Sequence, residues 1–102
     1  KWIKQRWVCL GRYFNEYDLP PKLGFKYQSI DEKDNIFGEP KIFTPGKKPN
    51  HWPGKMIEIE VTEDGESARI MGAKPLGAHP NEEFCAKWYA ESRAAEAAYT
   101  HV

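Results

Sequence analysis

The sequence predicts an α+β fold: a small, strongly bent antiparallel sheet or partly open barrel of four to five strands, with one C-terminal helix packed on it. Three observations carry that expectation. Short apolar runs with period-two alternation recur before residue 71. The links between them are too short for parallel crossovers. The residues after Asn81 carry one apolar stripe of helical period, which needs a sheet to cover.

The first strand is expected at about residues 2–10, where Trp2, Ile3, Trp7 and Val8 favour extended backbone. Gly11 stops it, although residues 12–18 are compatible with an extension past a glycine bulge. Leu19-Pro20-Pro21 cannot donate to a ladder and reads as a loop. Leu23, Phe25 and Tyr27 alternate with Gly24, Lys26 and Gln28, which predicts a half-buried strand over 23–30. Residues 41–43 read as a short edge strand, because Pro40 disfavours a central position. Pro45, Pro49 and Pro53, with Gly46 and Gly54, exclude regular structure over 44–55 and stiffen that loop.

Ile57, Ile59 and Val61 alternate with Met56, Glu58 and Glu60, giving a strand over 55–62. Asp64-Gly65 suits a type I′ turn, followed by a returning strand over 66–71. That register sets Thr62 opposite Ser67, Val61 opposite Ala68, Glu60 opposite Arg69 and Ile59 opposite Ile70. Gly72 to Pro80 reads as a connector. Asn81 then caps a helix over about 82–100, with Glu82 and Glu83 in its first turn. Its stripe is Phe84, Trp88, Ser92, Ala95, Tyr99 and Val102.

The chain has 102 residues, a length that suits a single domain over 1–102 with one core. At 14% aromatic residues, with 15 basic side chains offsetting 15 acidic ones, it does not resemble a disordered segment. No apolar run approaches a membrane span. Charges break up the apolar core that a signal peptide would need at the start, so the expectation is a soluble, cytoplasmic protein. The first residue is not Met, which leaves a trimmed N-terminus and targeting open. Cys9 and Cys85 lie in apolar runs and read as free thiols in a reducing compartment, with a disulfide as the rival.

Net neutrality hides an asymmetry. Residues 1–55 hold 11 Lys and Arg against 6 Asp and Glu, a net of +5; residues 56–102 hold 4 against 9, a net of −5. Ten of the fourteen aromatic residues fall in the basic half, the composition of a nucleic-acid surface. In one small domain the two halves also face each other, which is the simpler account of the split.

The proline loop is the first candidate site. Lys47, Lys48, His51 and Trp52 sit on a backbone whose stiffness lowers the ordering cost of binding. Arg6 and Arg12 on the first strand could join them. The plain alternative is that Trp52 folds inward and the lysines are merely solvated. Trp2 and Trp7 have opposite strand parity, so one of them should be exposed. A pocket between sheet and helix would be lined by Trp7, Tyr27, Trp88 and Tyr89. Ala95 and Tyr99 offer a helix face through which a homodimer could form.

Glu58 and Glu60 share a strand face, about 7 Å apart. Arg69 opposite Glu60 explains them without catalysis. His51, His79 and His101 read as surface residues. There is no Gly-x-Ser-x-Gly and no Gly-x-Gly, and no catalytic residue, cofactor or metal site is expected. The leading expectation is a non-enzymatic binding module for a protein or for single-stranded nucleic acid. The alternative is a small-molecule-binding protein or small enzyme using the pocket between sheet and helix.

Overall fold

A computed structural model describes residues 1–101. Its first strand, β1, runs Trp2–Asn15, longer than expected because the chain passes Gly11 through a bulge instead of stopping there. β2 (Lys22–Ile30) returns antiparallel beside it, and β3 (Ile36–Phe43) follows antiparallel at the sheet edge. The expected strand over 41–43 is the end of β3. Pro40 is tolerated there because an edge strand has one side free of ladder bonds. β4 (Lys55–Thr62) pairs with the other side of β1, and β5 (Lys74–Ala78) closes the order β3-β2-β1-β4-β5. The helix α1 spans Glu82–Thr100, and the Asn81 side chain accepts from the Phe84 N–H. The fold is therefore α+β: a five-stranded antiparallel sheet, not closed into a barrel, with one C-terminal helix packed on β1 and β2.

Two expectations for 66–80 need correction. The rungs nearest the turn form: Thr62 N–H donates to Ser67 O, Val61 bridges Ala68, and Arg69 N–H donates to Glu60 O. The chain then leaves the ladder in a 3₁₀ turn over Ile70–Gly72, which sends Ile70 into the core at 6% exposure. No strand covers 66–71. The segment read as a connector supplies β5 instead, where Pro75 and Gly77 fit an edge position and a register shift between Met56 and Ile57.

The pleat divides the core in two. One face gathers Trp7, Cys9, Phe25, Tyr27, Ile57, Ile59, Val61 and Ile70. The other gathers Val8, Leu10, Ile30 and Met56 beneath Phe84 and Trp88 of the helix. We call them the inner face and the helix face. Trp7 is 1% exposed on the inner face, whereas Trp2 is 37% exposed with Arg69 stacked 4.1 Å from its ring centroid. Cys9 lies in the inner cluster and Cys85 on the helix; both are free thiols.

β4 pairs with β1 only as far as Val8. Beyond that point α1 takes its place: the Ser92 hydroxyl accepts from the Arg12 N–H at 2.8 Å. Ser92 is 4% exposed, so the stripe carries a hydroxyl where a strand edge needs an acceptor. Along the same stripe Phe84, Trp88 and Ala95 are half-buried, and Tyr99 meets Phe14 edge-on at 5.9 Å. Val102 lies outside the described residues. Ser92→Ala should cost about 1–2 kcal/mol, because it strands a partly buried N–H. Chemical denaturation measures this, and an unchanged midpoint would show that water replaces the hydroxyl.

Candidate site at the proline loop

The loop between β3 and β4 begins at Thr44 and ends at Gly54, and it is pinned along its length. Pro49 is buried. The Lys55 ammonium donates to Asn50 O at 2.7 Å, and Lys55 N–H to Trp52 O at 3.0 Å. Gly54 N–H donates to Cys9 O at 2.8 Å. The anchor with the longest reach is His51, whose Nδ1 shares a 2.7 Å hydrogen bond with the Tyr27 hydroxyl. The His51 ring also stands edge-on to Tyr27 and Phe25, at 5.7 and 6.5 Å. Burial lowers the His51 pKa to about 4, so the ring is neutral at neutral pH. Burial also raises the Tyr27 hydroxyl, and it pushes the Cys9 thiol up to about 12. These groups make an inert, hydrogen-bonded core.

His51 is therefore a half-buried anchor turned inward onto Tyr27. His79, expected at the surface, is 8% exposed. Its Nδ1 accepts from Asn81 N–H, so its Nε2–H donates to Asp34 O. It rivets the β2–β3 turn to the start of α1. The sequence carries no sign of this, because Asp34 and His79 meet only in the fold.

Lys47, Lys48 and Trp52 face solvent, with Trp52 at 43% exposure. Arg12 lies near their anchor. Its guanidinium stacks 4.3 Å over the Phe25 ring that His51 also touches, and it donates to Leu23 O and Gly24 O. The bulge is the cause: Arg6 and Arg12 have the same parity, yet the residue added near Gly11 turns Arg12 to the inner face. Arg6 stays on the helix face, opposite Glu58, in an ion pair with Asp34 at 2.6 Å. The structure thus brings Lys47, Lys48, His51 and Trp52 together in one loop, places Arg12 against the loop's anchor, and separates Arg6 from all of them.

The four residues expected to line a pocket do not converge. Trp7 and Tyr27 pack at a tilt, 5.5 Å between ring centroids, inside the inner cluster, Trp88 packs on the opposite face, and Tyr89 is 54% exposed on the helix exterior. Ala95 is half-buried, and Tyr99, at 43% exposure, leans on Phe14. Glu58 and Glu60 do share a face. Arg6 and Lys4 stand opposite them in register, and Glu60 pairs with Arg69 at 3.3 Å.

Among the described residues the ion pairs are Arg6–Asp34 and Arg69–Glu60. Lys47, Lys48, Arg12 and Lys55 belong to neither, so the loop's positive charge is uncompensated by direct contact. No helix among the described residues is long and apolar enough to cross a membrane. No protein-family model, curated protein or solved structure shows significant similarity to this chain.

Proposed function

We propose that the protein is a small binding module whose loop over 44–54 engages single-stranded nucleic acid. One observation carries this reading: an indole 43% exposed on the same loop as two lysines outside any ion pair, the loop pinned from beneath by the Tyr27–His51 hydrogen bond. A stacking ring supplies sequence-tolerant affinity, and the lysines supply phosphate contact. A loop already held in place loses little entropy on binding. A single strand suits the neutral chain better than a duplex, because its unstacked bases can reach Trp52 and few phosphates need neutralising.

Fluorescence anisotropy with a short single-stranded oligonucleotide tests this across a salt series. Affinity should fall with salt at a slope of about −0.7 per phosphate contacted. The Lys47→Ala, Lys48→Ala double variant should flatten that slope, and Trp52→Ala should weaken binding roughly ten- to hundredfold. Affinity that ignores salt, or that survives loss of the indole, would rule the reading out.

A further inference from the structure

The sheet is open along one seam, between the end of β3 and the segment that leaves the β4 hairpin. An open cleft of about 590 Å³ occupies it, with Phe43, Pro45, Ala68, Ile70 and Met71 as its apolar walls. That volume lies in the range of small-molecule clefts. Met71 is 61% exposed although nothing in the adjoining turn requires an apolar side chain in water. Thr44 and Ser67 bring hydroxyls to the lining, and Glu66 adds a carboxylate. The cleft also adjoins the loop: Lys47 and Lys48 follow Pro45 by two and three residues.

This combination selects a particular ligand chemistry. Arg69 also lines the cleft, but its guanidinium is paired with Glu60 and stacked on Trp2, so beside the Glu66 carboxylate the apolar floor offers phosphate no free cation. It suits a flat, neutral ring carrying N–H donors, which the carboxylate and hydroxyls can accept. The neighbouring lysines would hold a phosphate outside. We propose that the seam cleft takes one unstacked nucleobase of the strand bound by the loop, most readily a base with an exocyclic amino group. The proposal rests on the reading of the loop as a single-strand binder, but the two can be tested apart.

Gly72 makes the test clean. It lines the cleft, and an added Cβ would meet nothing within 4 Å, so Gly72→Leu adds bulk at the cleft without a clash. Met71→Ala removes part of one wall without touching the core. Adenosine, which has no phosphate, is titrated while amide shifts are followed by NMR. Shifts should cluster over residues 67–72, vanish in Gly72→Leu and weaken several-fold in Met71→Ala. In parallel, a single abasic position should weaken oligonucleotide binding several-fold in the native protein and leave binding to Gly72→Leu unchanged. Adenosine shifts without oligonucleotide binding would sink the loop reading and keep the cleft. Binding that depends on Trp52, with no adenosine shifts and no effect of Gly72→Leu, would keep the loop and overturn the cleft. Shifts that persist in a folded Gly72→Leu variant would also overturn it.

Discussion

Gly11→Ala should destabilise the fold by roughly 3 kcal/mol or more, enough to unfold a marginal domain. Two independent costs meet at this residue. Its φ is +94°, a region that a side chain enters at about 1–2 kcal/mol. The new methyl would also sit 2.6 Å from the Ser92 Cβ and Oγ and 2.8 Å from the Pro53 Cγ. Both neighbours are held: Ser92 by its bond to Arg12 N–H, Pro53 by the pinned loop. Overpacking of this kind adds about 1–3 kcal/mol. Gly65 provides the control. It has φ +75° but nothing within 4 Å, so Gly65→Ala should show the backbone cost alone, about 1 kcal/mol. Urea unfolding of both variants separates the two costs. If the two substitutions cost the same, helix contact at Gly11 does not matter, and α1 does not seat on the bulge as described.

The same bulge shows where sequence reading runs out. Gly11 is visible as a break in the strand, and a bulge is one of its ordinary meanings. Whether the strand continues beyond it depends on what covers the unpaired edge, and that cover is Ser92, eighty residues away. The face on which Arg12 emerges depends on the bulge in turn, so the parity that groups Arg6 with Arg12 in the sequence misleads. Local signals fared better where the physics is local. Asn81 with Glu82 and Glu83 marks the helix start because a cap needs only its own first turn. Alternation from Ile57 to Val61 marks β4 because one face is buried along its whole length. β5 has a single half-buried side chain, Leu76, in five residues, so no alternation announces it. The direction of Trp52 was not legible either. It follows from His51 reaching Tyr27, a contact that proline spacing does not encode.

That contact also predicts a pH dependence. The His51 pKa is about 4 in the folded chain against 6.5 for an unperturbed ring. Between those values the unfolded chain binds a proton that the folded chain refuses, so stability rises with pH across the window and falls as pH drops from about 6.5 towards 4. Above the window His51 is neutral in both states and contributes no slope. The ring is only half-buried, so the effect is about 1–2 kcal/mol once solvent screening is allowed for. His51→Gln keeps an acceptor for the Tyr27 hydroxyl but cannot titrate, and its stability should change less with pH over that window. Because the loop is pinned by the same bond, oligonucleotide affinity in the native protein should weaken towards pH 4 in excess of any change seen in His51→Gln. Denaturation midpoints measured every half unit of pH give the first comparison, and anisotropy gives the second. Parallel curves for the native and Gln forms would remove His51 as the origin of the acid sensitivity, and with it the claim that a neutral, inward-facing imidazole holds Trp52 in place.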